Sequence, residues 1–187
     1  SLLPEMEPEL GRQLESIFKK RGIKVLTGQR VDTPKITSSG LKTAVGNKNI
    51  ECDKVLVATG RRPNTADLGL EKVGIETDRG FIRVDDKMQT QAKGYYCIGD
   101  ANGKCLLAHA ASAHAITAAE NAAGHDASCR LPIPSAVYTF PEIGAVGITT
   151  AQARSRKIPV RIGYFPIGHL GKAMAVGEET GFVKVLS

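Results

Sequence analysis

The chain has 187 residues, 42% of them hydrophobic, and a mean hydropathy near zero, which supports a buried core and argues against a disordered chain. Its net charge of +6 comes from 25 basic and 19 acidic residues. Apart from short clusters at 19–21 and 154–157 they are scattered, so no basic stripe interleaved with aromatics marks a nucleic-acid face.

The opening sequence SLLPEMEPELGRQLESIFKKRG predicts a helix, because Leu10, Leu14, Ile17 and Phe18 follow its period. Acids crowd its start, Lys19, Lys20 and Arg21 its end, and Gly22 suits the exit. The strand IKVLTG follows, so this is half of a βαβ unit whose first strand is not in the chain. PKITSS, LKTAVG and KNIEC alternate in character around Ser-Ser-Gly and Gly-Asn, as a small antiparallel meander does. DKVLVATG is an apolar run suited to a strand buried on both faces. RRPNTADLGLEKVG reads as a polar loop with one helical turn.

A second pattern begins with the strand FIRV, an Asp-rich turn and the strand GYYCIGD. An alanine-rich helix is expected from about Leu106 to Ala123, ending at Gly124. After the Pro-rich stretch at 131–135, the expected domain boundary, AVYTF, IGAVGI, VRIGYF and FVKVL read as strands, with TTAQARSR as a helix. The chain stops inside the last strand. With the unpartnered helix at the start, this predicts a piece of a larger protein.

Cys52, Cys97, Cys105 and Cys129 form no CxxC and no metal-ligand spacing, so metal binding is not expected. Without a secretory leader or a membrane-length apolar run, free thiols in a reducing cytoplasm are the expectation.

A strand ending in Gly-Asp sets the Asp100 carboxylate beyond the strand's carboxyl end, where open α/β sheets bind ligands. An ionised Asp only accepts hydrogen bonds, so it suits sugar or ribityl hydroxyls, although an Asp that merely caps a turn has the same signature. The helix beside it starts with small side chains at Ala108, Ala110 and Ala111. Its positive, donor-rich end suits a flat group that becomes negative, and a crowded core would produce the same composition.

The motifs VLVATGRRPNT, GYYCIGDANGKCLLAHAASAHA and VYTFPEIGAVGIT occur together in the order found in flavoprotein disulfide reductases. The chain resembles that family, and LLAHAA most resembles its dihydrolipoamide dehydrogenase branch. The resemblance implies an α/β fold: part of a two-dinucleotide-binding-domain, Rossmann-like flavoprotein, plus the start of an α+β dimerisation domain. It implies the second half of an NAD-binding domain at 1–60, the returning segment of an FAD-binding domain at 61–130, and the start of the interface domain at 131–187.

For FAD, the resemblance implies that Asp100 binds the ribityl chain, while Leu106, Leu107, Ala108 and His109 cover the flavin's pyrimidine edge through backbone N–H groups. For NAD, Val31 and Gly60 match contact positions. His109 would act through its backbone, His114 would pack on its helix, and Glu142 would be a turn or interface residue.

The implied activity is that of an FAD-dependent dihydrolipoyl dehydrogenase. Such an enzyme oxidises protein-bound dihydrolipoamide through a redox disulfide and FAD and reduces NAD. The implied partners are a second copy in a homodimer and the lipoyl domains of 2-oxo acid dehydrogenase complexes or the glycine cleavage system, with no nucleic acid and no membrane. No catalytic residue is expected in this chain. It has no GxGxxG, Cys97 and Cys105 stand eight apart rather than separated by four, and the family's late His–Glu pair would lie beyond Ser187. The isolated chain is therefore expected to be inactive and to hold FAD weakly. Other members of the family, such as mercuric or glutathione reductase or a soluble transhydrogenase, and a non-catalytic self-associating module are the alternatives.

Overall fold

The computed structural model describes residues 1–130 and 132–187; Leu131, where the Pro-rich stretch begins, lies outside the described residues. The chain divides into two compact units, Ser1–Val57 with Ala136–Ser187, and Ala58–Ser135.

In the first unit, α1 (Pro8–Lys20) begins on a proline, whose missing N–H would have no partner there anyway. Leu14 is its buried apolar contact, 3% exposed. Past the end, Gly22 adopts φ 82°; Ile23 N–H reaches Phe18 O (2.9 Å) and Gly22 N–H reaches Lys19 O (3.0 Å). This double closure satisfies carbonyls that the last turn would leave open.

The meander is present as β1 (Lys35–Thr37), β2 (Gly40–Val45) and β3 (Lys48–Cys52), all antiparallel. Pairing of Thr37 with Gly40 and of Val45 with Lys48 leaves two-residue turns at Ser38-Ser39 and Gly46-Asn47. Farther on, β6 (Ser135–Val137) pairs with β7 (Ile143–Ala145). The helix α3 (Thr150–Ser155) starts with a reciprocal cap: Thr149 Oγ1 accepts from Gln152 N–H and Gln152 Oε1 from Thr149 N–H. The last sheet pairs β8 (Ile162–Pro166) with β9 (Phe182–Leu186), Ile162 opposite Leu186. Between them lies α4 (Gly171–Val176), a helix of under two turns that apolar spacing does not announce.

The second unit contains a 3-10 turn at Leu70–Val73 and a hairpin of β4 (Thr77–Asp78) and β5 (Phe81–Ile82). Arg79 (φ 53°) and Gly80 (φ 87°) both take the left-handed conformation that so tight a hairpin demands. Ile75, Ile82 and Cys97 form its core, with Met88 fully enclosed. The alanine-rich helix α2 (Ala108–Ala122) ends on Gly124 (φ 88°), with His125 N–H returning to Glu120 O at 2.9 Å. It starts two residues later than expected because Leu107 is extended and serves as the N-cap.

Three expected strands differ. IKVLTG and DKVLVATG join no ladder among the described residues, and Leu56 and Val57 are 91% and 75% exposed. GYYCIGD makes a single bridge, Tyr96 to Gln89, before turning into a 3-10 helix at Gly99–Asn102. An apolar run encodes the tendency to pair, whereas a strand exists only where a neighbour supplies the other half of each hydrogen bond.

Candidate functional site

Ile98 is extended, and Gly99 (φ 66°) then turns the chain sharply, so that Asp100 emerges on the 3-10 turn. A Cβ on Gly99 would stand 3.5 Å from Ala111 Cβ, so this turn lies against the first turn of α2. The Asp100 carboxylate is 44% exposed and receives Nε of Arg61 at 3.2 Å. An ion pair that open to water is weak and readily exchanged for a ligand's hydroxyl.

At the amino end of α2, no side chain caps the helix. Its first internal closure is Ala111 N–H to Leu107 O, at 3.0 Å. Leu106, Ala108 and His109 are exposed there. Backbone donors at an uncapped helix start, together with the positive end of the macrodipole, attract an acceptor-rich or anionic group. The His109 ring turns aside, with Nε2 donating to Pro134 O at 2.6 Å, which leaves its backbone at the helix mouth.

Burial, and then the Asp100 charge, push the Cys105 thiol up, and burial does the same to Cys97. Neither is the low-pKa thiolate that dithiol chemistry uses. All four cysteines are free. Among the described residues, no cluster of three or more His, Cys, Asp or Glu could hold a metal, and no helix is long and apolar enough to cross a membrane.

Asp100, Leu106, Leu107, Ala108 and His109 thus share one unit, as does Gly60. Gly60 has φ 118°, with no heavy atom within 4 Å of where a Cβ would stand. Val31 belongs to the other unit; it is 57% exposed and bridges Val45. Two clefts of about 290 Å³, one along α1, β7 and β9 and one at the starts of α1 and α3, are lined by none of these residues.

Sequence reasoning missed Arg61 as the partner of Asp100, and Asn102. Asn102 is 4% exposed and bonds Cys97 O, Lys104 N–H and the His114 ring, which is itself 3% exposed. An Asn before Gly looks like an ordinary turn residue, so nothing local betrays the through-space link.

The model of the pyridine nucleotide-disulphide oxidoreductase family matches residues 1–115, and that of the family's dimerisation domain matches 133–187. The chain belongs to this family. As a pyridine nucleotide-disulphide oxidoreductase chain, it is 41% identical to a dihydrolipoyl dehydrogenase of Thermus scotoductus, over 99% of its own length and 42% of that protein's. It is 36% identical to the Bacillus subtilis dihydrolipoyl dehydrogenase, over 100% of itself and 41% of the relative. The crystal structure of LpdA from Mycobacterium tuberculosis superposes with a TM-score of 0.87 at 30% identity, covering 96% of this chain and 40% of that one. The chain spans about two-fifths of the length of the curated relatives it matches. The first family match encloses Val31, Gly60, Asp100 and the start of α2, and the second encloses β7, α3 and β9.

Proposed function

We propose that this chain forms part of an FAD-dependent dihydrolipoyl dehydrogenase and supplies portions of both its dinucleotide sites and of its dimer interface. One observation carries the reading: an exposed carboxylate, Asp100, on a turn packed against the uncapped, positive start of a 15-residue helix. The surrounding sequence is 41% identical to a dihydrolipoyl dehydrogenase. The donor set fits a flavin nucleotide. An acceptor-only carboxylate suits the hydroxyls of a ribityl chain, and free backbone N–H groups suit the carbonyl-rich edge of the ring.

In this reading Asp100 accepts from ribityl hydroxyls, displacing Arg61. The backbone at Leu106, Leu107, Ala108 and His109 lies along the pyrimidine edge, where the helix end favours negative charge. Bound FAD supplies the two-electron relay between a dithiol and NAD. Val31 and Gly60 contact NAD; the open space around Gly60 and its left-handed φ suit a backbone that a ligand approaches closely. The groups that exchange electrons with lipoamide lie outside this chain. The exposed runs at Leu56 and Val57 are where further strands pair. The assembly is a homodimer in the cytoplasm, serving lipoyl domains of 2-oxo acid dehydrogenase complexes or of the glycine cleavage system.

The test is to purify the full gene product. A yellow protein that reduces NAD with dihydrolipoamide is expected, with Asp100→Asn weakening FAD binding about tenfold, the worth of one charged hydrogen bond. A colourless protein without that activity, or an Asp100→Asn variant that binds FAD unchanged, would overturn the assignment.

A further inference from the structure

Asp100 and the start of α2 are joined by a loop, residues 101–107, that has no regular structure beyond the 3-10 turn. One buried side chain organises it. Asn102 Nδ2 donates to Cys97 O at 3.1 Å, just before the segment that delivers Asp100. Asn102 Oδ1 accepts the Lys104 N–H at 2.9 Å, which fixes the chain's departure toward α2. Nδ2 also faces Nδ1 of His114 on α2, at 3.4 Å. An amide nitrogen can only donate, so His114 Nδ1 is the unprotonated ring atom. Burial, and then the Lys104 charge, lower the histidine's pKa, which favours the neutral ring. The pair therefore joins the body of α2 to the residues flanking Asp100, inside a site where both side chains are almost wholly withdrawn from water.

Two glycines leave this geometry little slack. Gly99 brings the turn within van der Waals reach of Ala111, and a Cβ on Gly103 would stand 2.7 Å from Phe81 Cδ1.

We propose that Asn102 and His114 are a positioning pair that sets the gap between the Asp100 carboxylate and the amino end of α2, and thereby how tightly and in what environment the flavin nucleotide is held. The proposal rests on the reading of this site as a flavin site. Neither residue touches the cofactor.

The experiment uses the full gene product stripped of flavin and titrated with FAD. It follows flavin fluorescence quenching, visible circular dichroism of the bound ring, and thermal unfolding of each apo form. Asn102→Ala and His114→Ala are expected to weaken FAD binding about tenfold and alter the visible dichroism, well below their melting temperatures. His114→Asn, whose Oδ1 stands near the place of Nδ1, is expected to recover affinity to within about threefold of the original. Should Asn102→Ala fail to fold, Asn102→Ser keeps a short acceptor for the Lys104 N–H and is too short to reach His114, and the same loss of FAD affinity is expected of it.

Variants that lose apo stability but bind FAD with unchanged affinity and dichroism would overturn the proposal, as would a His114→Asn variant no better than His114→Ala. An unsubstituted protein that takes up no FAD would instead sink the flavin reading itself, before any variant is made.

Discussion

Lys184 on β9 donates to Glu7 at the head of α1 across 3.1 Å, although 177 residues separate them. Their side chains are only 9% and 14% exposed. The same ammonium reaches Glu9 at 3.0 Å, and the other oxygen of Glu7 accepts the Thr150 N–H at 2.9 Å, at the start of α3. One lysine and one carboxylate thus fasten α1, α3 and β9 together.

Removing the lysine would leave Glu7 with its burial and without its counter-charge. Lys184→Met is expected to cost about 2 kcal/mol, read as a lower midpoint in urea unfolding. Glu9→Gln should cost far less, because that carboxylate is 42% exposed and water screens it. Equal losses in the two variants would contradict this account.

Burial alone would push the Glu7 carboxyl up, but the Thr150 N–H and Lys184 outweigh it and hold its pKa below the ordinary 4.5. A depressed carboxylate contributes stability that is complete above its unfolded pKa and is lost as pH falls through the folded value. Burial likewise works against the Lys184 charge, and Glu9 and Glu7 together prevail and raise its pKa above 10.5. That contribution is present below 10.5 and fades as pH rises past it. Melting temperatures measured downward from about pH 6 should fall more steeply in the original protein than in Glu7→Gln.

His114 has the opposite sense among bases. Burial lowers its pKa from 6.5, so the unfolded chain takes up the proton more readily than the fold does. Stability should therefore decline as pH drops below 6.5, down to the folded value, and level off beyond it. Replacing the ring with Asn should flatten that segment of the profile. A profile with the same slope in both proteins would show that the ring is not the source.

Gly103 combines φ 69° with a forbidden neighbour, Phe81 Cδ1, 2.7 Å from any Cβ placed there. Gly103→Ala should cost about 2 kcal/mol, part backbone strain and part collision. Adding Phe81→Ala, which removes both Cδ1 and the Cγ that would stand 2.8 Å away, should recover the collision part and leave the strain. Strict additivity of the two substitutions in urea unfolding would show that the ring does not press on this position.

Several elements were legible in the residues themselves. The apolar period and end charges of α1, the glycines after α1 and α2, and the strand alternation of the meander act within a few residues, so they read correctly without a partner. The cap of α3 is equally local: Thr149 and Gln152 complete each other across one turn. The runs at 23–28 and 53–60 misled, because their apolar character records a preference for pairing that no neighbour among the described residues fulfils. The six-residue α4 was hidden because so short a helix has no periodicity to detect.

The candidate site divides the same way. Asp100 after a glycine, and a smooth helix opening behind it, are properties of contiguous sequence. Arg61 beside that carboxylate, Asn102 against His114 and Lys184 against Glu7 are not. Each joins residues whose approach depends on the path of everything between them, so no local propensity encodes it. By itself, then, the order of residues determined where helices begin and end and which groups can donate or accept. Tertiary packing alone decided which of those groups meet, because burial gathers distant polar atoms and obliges each to find a partner.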